Sequence, residues 1–407
     1  MEDLNALFAS RVVGAQSSIV RELLAFSKMP HIISLAGGIP AADMFDLEGI
    51  EAATLEAMKM GVAAYQYSVT DGEPELRERI THLIAERGIE SDKDQVVVTS
   101  GSQQGLDLVA RTFIDEGDVV LVEQPTYLAA IQVFRMAGAE IASIKGSTEG
   151  LDLDDLEAQV KALKAQNKRV KALYIVPTFA NPTGSTMSED NRVRLLSLAV
   201  EYNFVILEDD PYGEIRFEGD RVPSIYGLAK RTQTGENHVV YLSSFSKILV
   251  PGLRLGFIVA NKAIREKIVL VKQSVDLHTP VLPQLIVERY LASGRLKDRI
   301  PAISYTYGQR CSSLMQALDE YAGEDLEYQK PVGGMFLWAR LKNGMSATKL
   351  LNYAKDAGVV FVPGAAFYAE GADDSTLRLS FATVNPEGTV EAAKRLAVAI
   401  QKYKENN

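Results

Sequence analysis

The fold of this chain is constrained most strongly by a series of short apolar segments that recur between residues 96 and 242. The five segments are Val96–Thr99, Val119–Glu123, Ala172–Pro177, Phe204–Asp209 and Val239–Leu242. Each is almost continuously apolar instead of alternating, which is typical of strands that are covered on both faces. Amphipathic segments with helical periodicity stand between them. The pattern predicts an α/β fold with a mostly parallel sheet.

Helical periodicity and capping residues predict the surrounding helices. One helix is expected from Asp46 to about Met60, and others lie at about 74–87, 103–115, 153–166, 189–202, 284–292, 301–321, 346–357 and up to Tyr403. Near the N-terminus, the apolar stripe of Ile19, Leu23, Leu24 and Phe26 predicts an amphipathic helix.

The pattern changes beyond about residue 290, where helices and strands mix without regular alternation. This mixture is typical of a smaller α+β domain packed on a large sheet domain. We therefore expect three regions: residues 1–45 form an arm and part of the small domain, 46–295 the large domain, and 296–407 the C-terminal small domain.

Composition limits the partners of the chain. A formal net charge of −10 over 407 residues argues against a nucleic-acid partner, which would require a basic face. One cysteine, Cys311, excludes an internal disulfide, and the four histidines show no metal-ligand spacing, so no metal site is expected. No run reaches about 18 apolar residues, so no membrane span is expected. The first five residues lack a signal-peptide pattern, which favours a cytoplasmic enzyme.

The segment at 239–256 carries the clearest chemical signal. Its apolar strand breaks into small hydroxyl residues, among them Ser244 and Ser246, before Lys247, and Arg254 follows a Pro-Gly turn. A lysine among apolar neighbours loses some preference for its ammonium form and becomes a nucleophile for a carbonyl. Hydroxyls and a guanidinium nearby can bind a phosphate. Pyridoxal phosphate, an aldehyde with a phosphate, fits both halves, although Lys247 can also be an ordinary solvated lysine.

Two further segments place polar groups at strand ends, where ligands bind in open α/β sheets. Ser102 and Gln103 begin a helix after the strand 96–99, so their N–H groups can meet an anion, or the serine can simply cap the helix. Asp209 ends an apolar strand, where a carboxylate needs a partner. A protonated pyridine nitrogen would supply it; the alternative is a capping aspartate beside Asp210.

Several motifs together resemble the class I/II aminotransferases of pyridoxal phosphate fold type I. They are Ser-Phe-Ser-Lys at 244–247 with Arg254, Asn-Pro-Thr-Gly at 181–184 and Glu-Asp-Asp-Pro-Tyr at 208–212. Ser-Leu-Ala-Gly-Gly-Ile-Pro at 34–40 and Gly-Ser-Gln-Gln-Gly-Leu-Asp at 101–107 resemble the branch of 2-aminoadipate, kynurenine and broad-specificity aromatic aminotransferases. The resemblance runs from about Ser17 to Pro386. It implies a large domain with a mostly parallel seven-stranded sheet and a smaller α+β domain.

The resemblance also implies the roles of individual residues. Lys247, Asp209 and Tyr212 are the expected catalytic residues. The expected cofactor-binding residues are Ser102, Gln103, Tyr127, Asn181, Asp209, Tyr212, Ser244, Ser246, Lys247, Arg254 and Tyr67. The expected substrate-binding residues are Arg378, Asn181, Gly38 and Tyr67. Tyr127 would stack on the cofactor ring, or be a core aromatic; Arg378 would hold the substrate carboxylate, or be a solvated residue of an edge strand.

The implied reaction is a ping-pong transfer of an amino group from an L-amino acid to a 2-oxo acid such as 2-oxoglutarate. Tyr67 resembles the family tyrosine that reaches the phosphate of the neighbouring subunit, which implies a homodimer with active sites at the interface. Alternatives are a β-lyase reaction on the same scaffold, the effector domain of a transcription regulator, and a non-catalytic binding module. A regulator would need a basic DNA-binding domain before the arm, and a silent module would not retain Lys247 and Asp209.

The expected substrate range is broad. Relatives that act on 2-aminoadipate have an arginine shortly before the segment that resembles 18–23, where this chain has Val13, with Arg11 two residues away. An apolar arm with Ile19 and Tyr67 favours aromatic or large aliphatic side chains over a second carboxylate.

Overall fold

The computed structural model describes residues 4–13, 19–26 and 29–406. The α-helices are α1 (Ser10–Val13), α2 (Ile19–Phe26), α3 (Leu47–Met58), α4 (Pro74–Ala85), α5 (Ser102–Phe113), α6 (Leu128–Met136), α7 (Leu153–Ala165), α8 (Glu189–Tyr202), α9 (Ile225–Thr232), α10 (Lys262–Val275), α11 (Val281–Ala292), α12 (Leu296–Ala322), α13 (Ala347–Ala357) and α14 (Pro386–Asn406). The strands are β1 (Ile33–Ser34), β2 (Val96–Thr99), β3 (Val119–Gln124), β4 (Glu140–Ser147), β5 (Gly150–Leu151), β6 (Val170–Ile175), β7 (Val205–Asp209), β8 (Val239–Ser244), β9 (Gly256–Val259), β10 (Leu326–Tyr328), β11 (Phe336–Leu341), β12 (Val359–Val360), β13 (Val362–Pro363) and β14 (Thr376–Ser380).

The large sheet has the strand order β2-β9-β8-β7-β6-β3-β4-β5. Strands β8, β7, β6, β3 and β4 pair in parallel, and β9 runs antiparallel to both β8 and β2. The prediction of an α/β fold with a mostly parallel sheet is therefore confirmed. The sheet has eight strands instead of seven, because a tight turn before Gly150, whose φ is 89°, folds the chain back as the two-residue strand β5.

The direction of the strands decides where the functional residues lie. Because β2 and β8 are both antiparallel to β9, β2 points the same way as the parallel strands. The carboxyl ends of β2, β3, β6, β7 and β8 consequently meet at one edge of the sheet. Asp209 ends β7 and Ser244 ends β8, so the polar residues that follow the buried strands come together there.

The second sheet is smaller and has the order β10-β11-β14-β13, with antiparallel pairing throughout. Helix α14 packs against α12 and α13 next to it. Strand β1 pairs with β12, so residues 33–34 join the C-terminal part of the chain. On this basis we propose the division at 1–45, 46–295 and 296–407, with the first region contributing to the small domain.

The N-terminal amphipathic helix is present as α2. Leu23 is buried, and Ile19 and Phe26 pack against the core that contains it. The side chain of Leu24, also assigned to this stripe, lies outside the described residues. No helix in the described part of the chain is long and apolar enough to cross a membrane.

Candidate active site

A cavity of about 340 Å³ opens at the carboxyl edge of the large sheet, and the small sheet contributes Arg378 to its wall. Every site residue expected from the sequence lines it except Tyr67. Those residues are Gly38, Ser102, Gln103, Tyr127, Asn181, Asp209, Tyr212, Ser244, Ser246, Lys247, Arg254 and Arg378. The chain thus brings together residues that are up to 340 positions apart in sequence, counted from Gly38 to Arg378.

Lys247 lies in the turn after β8, and its amine faces the cavity. Its Nζ donates a hydrogen bond to the carbonyl oxygen of Gly38 at 2.7 Å. Burial, together with the charges of Arg378 and Arg254, lowers the pKa of Lys247 to about 8. No carboxylate is among its hydrogen-bond or ion-pair partners within the described residues. The amine is therefore far more often neutral near pH 8 than that of a solvated lysine.

One end of the cavity is lined by groups that can bind an anion. Helix α5 begins there at Ser102, after Gly101 with a φ of 81°. This φ favours glycine, and a Cβ atom on Gly101 would also lie 2.6 Å from Nη2 of Arg254, so that the guanidinium would have to shift. The N–H groups of the first helical turn, the guanidinium of Arg254 and the hydroxyls of Ser244 and Ser246 all border the same space. These are the groups that bind phosphates in proteins.

Asp209 presents a carboxylate to the same cavity while being only 3% exposed. Its Oδ2 accepts a hydrogen bond from the hydroxyl of Tyr174 at 2.8 Å. Its Oδ1 is buried and has no hydrogen-bond partner among the described residues. Burial raises the pKa of Asp209 to about 7, the bond from Tyr174 opposes this rise, and the charge of Asp210 adds to it. The unpaired oxygen is where a cationic N–H would be stabilised.

The neighbouring Asp210 has the capping role that was the alternative for Asp209. Its Oδ1 accepts the backbone N–H of Gly213 at 2.8 Å, and its Oδ2 accepts the hydroxyl of Tyr241 at 2.9 Å. The two adjacent carboxylates therefore have different contacts: that of Asp210 stabilises the following turn, and that of Asp209 faces the cavity.

Arg378 lies on β14, between β11 and β13, and is 2% exposed, so it is not a solvated residue of an edge strand. Nη1 donates to Oδ1 of Asn181 and Nη2 donates to the carbonyl oxygen of Ala36, both at 2.8 Å. Its guanidinium carbon lies 4.1 Å from the ring centroid of Phe336 and 5.0 Å from that of Phe367. Burial lowers the pKa of Arg378 to about 10.

Tyr212 and Tyr127 also border the cavity. Tyr212 is buried, and its ring meets Phe336 edge-on with 5.8 Å between the centroids. Burial raises its pKa, so the phenol is a hydrogen-bond donor at neutral pH. Tyr127 precedes α6 and is half-buried, which leaves one part of its surface toward the cavity.

Three aromatic residues that contact the predicted site residues were not predicted from the sequence: Tyr174, which binds Asp209, and Phe336 and Phe367, which pack on Arg378. Each reads as an ordinary core aromatic, because its partner lies in a distant segment. The Ser-Gly-Ser turn at 100–102 and the Asp-Asp pair at 209–210 are local motifs that indicate a site. No local motif indicates that the hydroxyl of Tyr174 binds Asp209.

Tyr67 lies elsewhere on the chain. It is 78% exposed, and its ring packs edge-on against His278 at 5.6 Å between centroids. It does not line the cavity of its own chain.

A second, larger cavity of about 980 Å³ adjoins the first and shares Gln103 and Arg254 with it. Arg11 and Val12 of α1 line this second cavity. Val13 ends α1, and residues 14–18, where the expected resemblance to 2-aminoadipate enzymes begins, lie outside the described residues. Across the described ranges, no group of three or more metal-ligating side chains is assembled.

Comparison with known proteins shows that this architecture is that of the fold type I transferases that use pyridoxal phosphate. The family is also clear. The chain belongs to the aminotransferases of class I and II, whose family model matches residues 30–396, and it is a pyridoxal-phosphate-dependent aminotransferase.

Three relatives illustrate the similarity. The chain is 41% identical to aromatic-amino-acid aminotransferase 1 of Thermococcus litoralis, over 98% of this chain and 95% of the other. It is 41% identical to a 2-aminoadipate transaminase of Thermus thermophilus, over 95% and 94%. The crystal structure of a kynurenine aminotransferase from Pyrococcus horikoshii superimposes with a TM-score of 0.92 at 42% identity, covering 98% of both chains.

The residues of the cavity fit pyridoxal phosphate. The buried, unpaired Oδ1 of Asp209 fits the ring nitrogen, the amine of Lys247 fits the aldehyde, and the N-terminus of α5 with Arg254 fits the phosphate. These three features are what the cofactor needs at its three functional positions.

Proposed function

We propose that this aminotransferase transfers the amino group of L-amino acids with aromatic or large aliphatic side chains, or of 2-aminoadipate, to a 2-oxo acid such as 2-oxoglutarate in a ping-pong reaction. The observation that carries the proposal is the distribution of positive charge in the cavity. Among its lining residues Arg254 adjoins the anion site, Lys247 is the reactive amine, and Arg378 remains for the substrate α-carboxylate.

The rest of the lining supports a large, mainly apolar side chain. Ile39, Pro40, Leu128 and Val176 border the cavity, and Ile39 is half exposed at its mouth. Burial of such a side chain contributes about 25 cal/mol per Å². The names of the relatives, which include aromatic amino acids, kynurenine and 2-aminoadipate, favour the same range.

Each residue has a role in this proposal. Bound pyridoxal phosphate supplies an aldehyde that takes up the amino group and a ring that accepts electrons from Cα. Arg378 binds the α-carboxylate and thereby orients the Cα–H bond, and the amine of Lys247 removes the Cα proton as a general base. Asp209 keeps the ring nitrogen protonated. Tyr212 and Asn181 donate hydrogen bonds to the phenolic oxygen of the cofactor, and Tyr127 packs on its ring.

The proposal is tested with the purified holoenzyme and a panel of amino acids. Adding glutamate without an acceptor should change the absorbance of the cofactor, because the first half-reaction needs no second substrate. With 2-oxoglutarate as acceptor, phenylalanine, tyrosine, tryptophan, kynurenine or leucine should at least match 2-aminoadipate in kcat/KM. A preference of tenfold or more for 2-aminoadipate over all of these would contradict the broad range, and its loss in Arg11→Ala would assign the distal carboxylate to Arg11.

Arg378→Lys is expected to lower kcat/KM by about 10- to 100-fold, because a hydrogen bond to a charged group contributes roughly 1.5–3 kcal/mol and lysine cannot bind bidentately. The loss should be similar for phenylalanine, leucine and glutamate, because their side chains differ but all three carry the α-carboxylate. Arg340→Lys, on the adjacent strand β11 with its guanidinium toward Asp373, is the matched control and should change kcat/KM by less than about twofold. A loss confined to dicarboxylic substrates would instead assign Arg378 to the side chain.

We also propose that the protein is a homodimer with its active sites at the interface. Exposed apolar side chains of α3 and the segment after it support this, because their exposure is unusual for a monomer. They are Leu47, Leu55, Met58, Val62, Tyr65 and Tyr67. Tyr67, which does not reach its own cavity, would contact the phosphate bound to the other subunit.

Mixing the inactive variants Tyr67→Ala and Lys247→Ala should restore activity in hybrid dimers, since one of the two sites then has both residues. The recovered rate would approach a quarter of the wild-type value at equal mixing, provided that subunits exchange freely. Sedimentation of each preparation alone is the control. A fully active monomer would refute the dimeric site.

A cytoplasmic location remains a proposal. It is supported by the cysteine content, since a chain with the single cysteine Cys311 forms no internal disulfide.

A further inference from the structure

The turn that follows β7, residues 210–214, connects Asp209 to the rest of the site and carries Tyr212. Its conformation decides where both side chains point, because Asp209 directly precedes it and Tyr212 is its central residue. Arg87, which follows α4, contacts this turn. Arg87 is only 5% exposed and does not line the cavity.

The guanidinium of Arg87 binds the last residue of the turn and two residues of the neighbouring strand β8. Its Nε donates to Oε1 of Glu214 at 2.6 Å. Its Nη1 donates to the hydroxyl of Tyr241 at 2.6 Å and to Oγ of Ser243 at 2.9 Å. Glu214 ends the turn, whereas Tyr241 and Ser243 belong to β8, the strand next to β7.

The hydroxyls of Tyr241 and Ser243 on β8 bind Asp210, the first residue of the turn. The Tyr241 hydroxyl donates to Oδ2 of Asp210 at 2.9 Å, and Oγ of Ser243 donates to the Asp210 carbonyl oxygen at 2.7 Å. Asp210 in turn accepts the N–H of Gly213. One buried guanidinium therefore fixes Asp210 through two hydroxyls and Glu214 directly, on either side of Tyr212.

Such an arrangement is costly unless every group is paired, since each buried charge loses its hydration. Here the positive charge of Arg87 is opposed by the carboxylates of Glu214 and Asp210, and Arg221 pairs with the outer side of Glu214. A satisfied buried network of this kind favours one geometry strongly over its alternatives.

We propose that Arg87, with Tyr241 and Ser243, is a positioning residue of the aminotransferase: it holds the 210–214 turn so that the Tyr212 hydroxyl is placed to contact the cofactor. This network is called the Arg87 clamp. The inference rests on the role proposed above for Tyr212.

The first test is Tyr241→Phe, which removes the bridging hydroxyl and keeps the ring. Tyr226→Phe is its matched control, since Tyr226 is equally buried in the same apolar layer but its hydroxyl accepts from Gln95 instead. Tyr241→Phe should lower kcat about tenfold and weaken pyridoxal phosphate binding to the apoenzyme, measured by equilibrium dialysis, by a similar factor. Tyr226→Phe should change neither by more than about twofold.

The decisive measurement repeats Tyr241→Phe in a Tyr212→Phe background. If the clamp acts through Tyr212, the second substitution adds less than about twofold to the loss in kcat and in cofactor affinity, because coupled residues are not additive. An equal loss in both backgrounds would overturn the clamp while leaving the role of Tyr212 intact. If Tyr212→Phe alone changed neither quantity, the proposed role of Tyr212 and the clamp would both be wrong.

Arg87→Lys provides a second variant should Tyr241→Phe fold poorly. Lysine keeps the charge but cannot bind Glu214, Tyr241 and Ser243 together, so the same tenfold loss and the same dependence on Tyr212 are expected. Arg79→Lys is its control, since Arg79 lies on α4, is partly exposed and pairs with Glu288 instead of Glu214, and it should stay within about twofold of wild type.

Discussion

Replacing Lys247 with alanine is expected to lower kcat/KM by at least about a thousandfold, while the variant still takes up pyridoxal phosphate non-covalently. The substitution removes both the amine that attaches the cofactor and the base that removes the Cα proton, and general base catalysis alone contributes about 10²- to 10⁴-fold. The anion site of Ser102, Gln103 and Arg254 is untouched, so the phosphate should still bind. Single-turnover absorbance changes and equilibrium dialysis measure the two effects separately.

The control for Lys247 is Lys272, a buried lysine whose ammonium is held by Asp276 at 2.7 Å. Borohydride reduction of the holoenzyme followed by peptide mapping should mark Lys247 and leave Lys272 unlabelled. In the apoenzyme, the rate of attachment of the cofactor should rise around pH 8, where the lowered pKa of Lys247 lies, and not near 10.5. A label on any other lysine would refute the assignment.

Asp209→Asn is expected to lower kcat/KM by about 10²- to 10³-fold, the range found when one preorganised electrostatic partner is removed. Its amide cannot form an ion pair with a protonated ring nitrogen. The neutral oxygen of asparagine can still accept the bond from Tyr174, so the loss reports charge and not packing. Half-reaction kinetics with phenylalanine would measure it.

The stability of the same variant should change in the opposite sense. Because burial raises the pKa of Asp209 to about 7, the apoenzyme loses stability as the pH rises from about 4 toward 7, where the carboxyl must ionise without a partner. The asparagine variant lacks this loss, so its apoenzyme should melt no lower than wild type at pH 8, with a smaller difference at pH 5.

Glu208→Gln is the matched control for the loss of a buried carboxylate. Glu208 is also buried, and its pKa is likewise raised to about 7, but its carboxylate accepts the N–H groups of Ile225 and Tyr226. Glu208→Gln should therefore leave cofactor affinity within about twofold of wild type. Melting at a clearly lower temperature for apo Asp209→Asn at pH 8 would contradict the argument.

The large sheet could be predicted from the sequence because its central strands are buried on both faces and therefore apolar throughout. Strand β4 was not predicted because it lacks a continuous apolar run. Glu140–Ser147 lies toward an edge of the sheet, and most of its side chains are partly or fully exposed. Helix α12 begins at Leu296, five residues before the predicted start at about 301, because it continues through Pro301, although a proline inside a helix is unusual.

The clustering of the predicted residues around one cavity could be expected from motifs at or just after strand ends, such as those with Asp209 and Lys247. Contacts that depend on the packing of distant segments did not follow. Tyr174 meets Asp209 across neighbouring strands, and the two rings around Arg378 come from Phe336 and Phe367, which are 42 and 11 residues from it. Arg87 gave no signal either, because a single arginine after a helix is usually exposed.

The aromatic surroundings of Arg378 have an optical consequence. The only tryptophan of the 407-residue chain, Trp338, pairs with Arg378 across β11 and β14, and its ring lies edge-on to Phe367 at 5.8 Å between centroids. Indole emission from this protein therefore comes from a single position, one ring away from the guanidinium proposed to receive every substrate carboxylate. The chain thus contains a built-in fluorophore beside the proposed carboxylate site, and we expect its emission to report ligand occupancy there without labelling.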